Sequence, residues 1–164
     1  MRHLAESVGM EAASLYNHFK GKSSILESIC LEVADICNEH LAITMSSQET
    51  AIEQVETIIR FHVQMMINNF DNYFVLINDW GNLDEPSLSH YVNDRRNYSQ
   101  KIEGIVAKGI ADGEFANINP YIVVLNILSA IRGLEFWHKS RKLLEPKEIE
   151  EELVKHLLYG IVKK

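Results

Sequence analysis

Ala12, Ala13, Ser14, Tyr16, Asn17 and His18 form a short run of small and hydrogen-bonding residues, and Lys20 and Lys22 follow it directly. Leu15 and Phe19 turn inward at helical spacing, which leaves the others pointing outward from one short helix. Such side chains suit the major groove of duplex DNA. Small groups permit close approach, hydroxyl, amide and imidazole groups meet base edges or phosphate oxygens, and lysines neutralise phosphate. Leu4, Ala5 and Val8 share one face of a preceding helix, and Gly9 supplies the left-handed residue that ends it. Ala5 is small enough to let two short helices cross closely. The segment therefore reads as a helix, a tight turn and a second helix.

The run Leu4-Ala5, Val8-Gly9-Met10, Ser14-Leu15-Tyr16-Asn17-His18-Phe19-Lys20-Gly21-Lys22 and Ile25-Leu26 resembles the DNA-binding segment of the TetR family of bacterial one-component regulators. The Leu-Tyr-x-His-Phe core followed three residues later by Lys is its most specific part. Gly104 to Phe115 and Gly133 to Trp137 extend the likeness more weakly. The resemblance implies an all-α, cytoplasmic, homodimeric regulator, a repressor controlled by a small, largely apolar effector and binding double-stranded operator DNA. It assigns Tyr16, His18 and Lys22 to DNA contacts, with Ala12, Ala13 and Asn17 facing bases and Ser14 beside them. Glu11 stands where the family usually has a capping Ser or Thr; its carboxylate suits a helix N-terminus but repels phosphate. The family also has a full helix before this segment, so a shortened DNA-binding module is expected here.

The bulk properties are compatible with this reading. A chain of 164 residues, 46% hydrophobic with three prolines, can bury one substantial core. Its net charge is −7, yet residues 1 to 22 carry three basic and two acidic residues, so the remainder holds 13 basic and 21 acidic ones. A mildly positive head on an acidic body allows DNA contact through one surface. No apolar run is long enough for a membrane span, so no membrane partner is expected. Cys30 and Cys37, seven residues apart on one helix, are about 10 Å apart by helical rise and too distant to bridge; they read as buried thiols.

Beyond the head (residues 1–22), the remainder (23–164) reads as a ligand-binding and dimerisation bundle. A long helix from Lys22 to about Ile43 is expected to open on a capping box at Ser24–Glu27, and a second box at Ser46–Glu49 to start a helix reaching Phe70. Asp71 is placed to cap an aromatic helix ended at Gly81. Pro86 begins a helix that stops at Gly113, Asn119-Pro120 the most apolar helix of the chain, and Pro146 the last. A helix apolar nearly all round must be covered on all sides. One side is expected on the chain's own core and the other on a second subunit, with Leu128, Ile131, Leu134, Leu153, Leu157, Gly160 and Ile161 at a four-helix interface.

Phe61, His62, Met65, Phe74, Trp80, Tyr98 and Trp137, with Arg95 beside them, are aromatic with a few polar tips. They predict a cavity for a largely apolar molecule whose anionic group Arg95 can meet. Ordinary core packing accounts equally well for each residue taken singly. No histidine sits in a His-x-x-x-His pair, and Gly104 to Gly109 lacks the Lys and Ser or Thr of a phosphate loop. No cofactor, metal or catalytic cluster is expected, and an enzyme is the least supported reading. The main alternative to a regulator is a stand-alone helical ligand-binding or interaction protein without DNA binding.

Overall fold

The computed structural model describes residues 1–140 and 144–159, which form eight α-helices and, among those residues, no strand. They are α1 (Arg2–Ser7), α2 (Ala12–His18), α3 (Lys22–Ser46), α4 (Ala51–Asn68), α5 (Phe70–Asp79), α6 (Ser87–Ala111), α7 (Pro120–Ser140) and α8 (Pro146–Tyr159), with a 3-10 turn at Trp80–Asn82. The all-helical head-and-bundle architecture expected from the sequence is present.

The glycine elbow forms as its residue types dictate. Gly9 takes φ 68°, the Met10 amide donates to the Ala5 carbonyl at 2.9 Å and the Gly9 amide to that of Glu6 at 3.2 Å, a Schellman closure of α1. Ala5 and Leu15 are buried where α1 crosses α2. Leu4 and Val8, expected inward, are 39% and 58% exposed because α2 covers only the Ala5 side of α1. Glu11 occupies the N-cap of α2 with extended backbone, and its side chain makes no capping bond.

Both expected capping boxes are displaced. α3 begins at Lys22, so Ser24 is its third helical residue, accepting from the Gly21 amide at 3.1 Å and donating to the Gly21 carbonyl at 2.8 Å. The box before α4 lies at Thr50–Glu53, where the Thr50 amide donates to Glu53 at 2.8 Å. Ser46 is instead spent extending α3 by a last turn. At the far end of α6, Gly113 (φ 79°) closes a second Schellman turn that folds Phe115 back over Gly109, and the Glu114 carboxylate accepts from the Ile52 amide at the start of α4.

The core lies where α4 is enclosed by α3, α5, α6, α7 and α8. Val55, Ile58, Ile59, Val63 and Met66 of α4 are buried against Val33 and Leu41 of α3, Ile102 and Val106 of α6, and Val123, Ile127 and Ile131 of α7. Arg60 fastens α8 to α4, with Glu56, Glu150 and Glu151 all within 3.0 Å of its guanidinium. α8 turns Val154 and Leu158 into the core, one position round from the expected Leu153 and Leu157. No helix of the described residues is long and apolar enough to cross a membrane.

Candidate ligand cavity and nucleic-acid interface

A cavity of about 130 Å³ opens between α3, α5, α6 and α7, with His62 of α4 at its floor. Each wall comes from helical spacing. Cys37 faces it from α3, Tyr73 and Leu76 from α5, Tyr91, Asp94, Arg95 and Tyr98 from α6 and Leu128, Ile131 and Arg132 from α7, while Trp80 enters from the 3-10 turn.

His62 is buried between two phenols. Its Nδ1 lies 2.6 Å from the Tyr73 hydroxyl and its Nε2 2.7 Å from that of Tyr98. Burial, reinforced by nearby His40, pushes the imidazole pKa down to about 3, so the ring is neutral at physiological pH. Burial likewise holds the Tyr73 and Tyr98 hydroxyls protonated, well above the usual phenol range, and pushes the Cys37 thiol up to about 12. The floor thus carries polar but uncharged groups, with charge confined to the rim. There the Arg95 guanidinium sits 5.3 Å from the Trp80 ring centroid, and Arg132 donates to Asn78 Oδ1 at 2.9 Å.

Of the sequence-expected ligand residues, His62, Trp80, Arg95 and Tyr98 meet in this cavity. Phe61, Met65, Phe74 and Trp137 do not. Phe61 is offset from His62 by about 100° of helical rotation and stacks on His40 at 3.9 Å. Met65 packs on the core periphery, Phe74 pairs with Phe70 at 5.4 Å, and Trp137 Nε1 donates to the Leu144 carbonyl at 3.0 Å. Sequence reasoning missed Tyr73, Tyr91, Asp94 and Arg132. The spacing of Tyr91, Asp94, Arg95 and Tyr98 on α6, three, four and seven residues apart, was the signal that could have found this wall.

Two of the residues expected at a subunit interface face inward. Ile131 and Leu134 are buried in the chain's own core, and Leu128 and Ile131 line the cavity. The apolar face that α7 leaves exposed is a neighbouring one, with Ile122 and Phe136, the latter 75% exposed. Gly133, on that same face, has open space around it. Leu153 and Leu157 are half-buried on α8, and Gly160 and Ile161 lie outside the described residues.

At the other end of the chain, Tyr16 is 53% exposed, and Ala13, Asn17, His18 and Lys22 are exposed with it. Ala12 and Ser14 are half-buried beside α1. Exposed side chains thus run along α2 to the start of α3. The first turns of α3 are tied to the entry of α6: the Ser23 hydroxyl donates to the Asp84 carboxylate, and that of Ser87 to the carboxylate of Glu27.

Known structures share this arrangement. The ketosteroid transcriptional regulator KstR2 of Mycobacterium tuberculosis superposes with a TM-score of 0.90 at 16% identity, covering 99% of this chain and 84% of that one. The TetR family regulator PfmR from Thermus thermophilus gives 0.83 at 17% identity over 96% and 86% of the two chains. AibR, in complex with isovaleryl coenzyme A and operator DNA, gives 0.83 at 16% over 96% and 85%. At these identities the likeness shows the fold. No curated protein matches by sequence. Residues 48–161, which include the whole cavity-forming part of α4 to α7, match the tetracycline repressor-like C-terminal domain, and on that match the chain belongs to the TetR family.

Proposed function

We propose that this chain is a DNA-binding repressor whose affinity for its operator is set by a small effector in the cavity between α3, α5, α6 and α7. The observation that carries this reading is the course of α3. One helix begins at Lys22, directly after α2, and contributes Ala34, Cys37 and Asn38 to the cavity wall. The bonds from Ser23 to Asp84 and from Ser87 to Glu27 join its first turns to the entry of α6, whose next turns hold Tyr91, Arg95 and Tyr98. A ligand that favours one packing of α6 against α3 thereby favours one position of α2.

In a symmetric dimer two such heads must sit about 34 to 36 Å apart to enter successive major grooves. The exposed face of α7 around Ile122, Gly133 and Phe136 supports that pairing. The complex of AibR with isovaleryl coenzyme A and operator DNA supports the combination of small-molecule and DNA partners within this fold. The residues that read DNA are Tyr16, Asn17, His18 and Lys22, with Ala12, Ala13 and Ser14 against the groove. Residues 1–22 serve as the head and the remainder as the ligand and dimer body, and no chemical step is assigned to the cavity.

The test is iterative selection of binding sites from a random duplex pool, followed by titration of the enriched site at several salt concentrations. Enrichment of a two-fold-symmetric site, with affinity falling steeply as salt rises, is the expected result. Failure to enrich any site leaves a ligand-binding protein without DNA function.

A further inference from the structure

The polar hydrogens at the cavity floor do not balance. With a neutral imidazole, His62, Tyr73 and Tyr98 hold three of them, one on the ring and one on each phenol. The two contacts within the triad use two. Whichever ring nitrogen is protonated, one tyrosine donates to the bare nitrogen and the other accepts from the N–H, so one phenolic hydrogen is left over. Both phenols are more than nine-tenths buried, both line the cavity, and among the described residues neither has another hydrogen-bond partner. A buried donor left without an acceptor forfeits the hydrogen bond it makes with water in the unfolded chain. The floor is therefore built for a molecule that supplies an accepting oxygen.

Size and charge limit that molecule further. The inner cavity, at about 130 Å³, is close to the roughly 150 Å³ apolar cavity that holds benzene in an engineered protein. It continues into a wider groove of about 690 Å³ between α6 and α7, sharing Trp80, Arg95, Ser99, Leu128 and Arg132 and adding Arg96. Among the described residues none of the three arginines is in an ion pair. Of the carboxylates nearby, Asp94 lies 3.1 Å from His90, and Glu103 lines the outer groove. Three arginines thus gather along one groove in a chain whose net charge is −7.

We propose that this site takes a two-part ligand: an apolar group of about benzene size bearing a carbonyl oxygen that accepts the spare phenolic hydrogen, continued by an anionic tail along the Arg95, Arg96 and Arg132 groove. The assignment rests on reading the cavity as the effector site, but it concerns ligand binding alone and is measured without DNA. A protein that binds no DNA can still satisfy it, and a working repressor can still refute it.

Titration calorimetry of the purified chain with 4-benzoylbutyrate, its neutral methyl ester, benzoyl-coenzyme A and coenzyme A tests both parts. At least one anionic benzoyl probe should bind roughly tenfold or more tightly than the ester, and joining head to tail should exceed coenzyme A alone by a similar factor. Tighter binding of benzoyl-coenzyme A identifies a phosphate tail, and tighter binding of 4-benzoylbutyrate a carboxylate; either result upholds the two-part ligand. Arg95→Ala combined with Arg132→Ala should bring the acid down to the affinity of the ester, and because both side chains are exposed the unliganded melting temperature should hold. Tyr73→Phe or Tyr98→Phe should weaken acid and ester alike. Equal binding of acid and ester, indifference to the arginine changes, or no heat from either anionic benzoyl probe at millimolar concentration overturns the proposal.

Discussion

The Nε2 atom of His62 and the hydroxyl of Tyr98 lie 2.7 Å apart in the interior of the bundle, where both residues are buried. The imidazole is neutral in the folded chain, its pKa pushed down to about 3, and regains an ordinary value near 6.5 on unfolding. Between those values the unfolded chain binds a proton that the folded chain does not, so this contribution to stability is complete above about pH 6.5 and is lost progressively as pH falls toward 3. Urea melts of the unliganded protein between pH 7 and 4 should show that decline. His62→Gln should flatten this part of the curve while lowering stability at pH 7; an unchanged slope would count against a neutral buried histidine.

Tyr16 and Lys22 are both exposed but are predicted to act differently. Lys22→Ala should weaken binding to every duplex and reduce the salt slope by about one, the mark of a single lost phosphate contact. Tyr16→Ala should weaken operator binding without dissociating the dimer. Both are checked by fluorescence anisotropy on the selected site at several salt concentrations.

The exposed face of α7 predicts self-association. Sedimentation at micromolar concentration should give a dimer, and Phe136→Asp should shift it toward monomer, since an unpaired charge would be buried at the seam. A wild-type chain that sediments as a monomer would remove this face as an interface.

Gly109 is a packing requirement. A Cβ there would lie 2.5 Å from the Phe115 ring, held by the turn after α6, and 2.8 Å from the Ala51 Cβ at the start of α4. Alanine gains up to about 1 kcal/mol in helix propensity, but overpacking of this kind costs about 1–3 kcal/mol. Gly109→Ala should therefore destabilise, with the melting temperature falling by about 2–4 °C for each kcal/mol lost. Calorimetric scans would register it.

The helices and the elbow were legible because their signals are local. Gly9, Gly113, Asn119-Pro120 and Pro146 each specify a backbone event within a few residues. The box before α4 slipped because Ser46–Glu49 and Thr50–Glu53 both satisfy the pattern, whereas at α3 Glu27 is taken by Ser87 of α6 rather than by its own helix end. The cavity was half legible. Aromatic content pointed to it, yet which face of α4 looks inward depends on five other helices, so Phe61 and Met65 were grouped with His62 although they pack elsewhere. Ile131 and Leu134 were misplaced for a related reason. An apolar helix advertises burial on every side, and sequence does not say which side meets its own core.

The length of α3 sets a mechanical ratio. Fifteen residues separate Lys22 from Cys37, about 22 Å at the rise of an α-helix, so a tilt of roughly five degrees pivoting beside the cavity carries the outer end through about 2 Å. An uninterrupted rod of this kind amplifies a displacement too small to break its own packing into one as large as the tolerance of a hydrogen bond to a base, which lets a modest rearrangement decide between engagement and release.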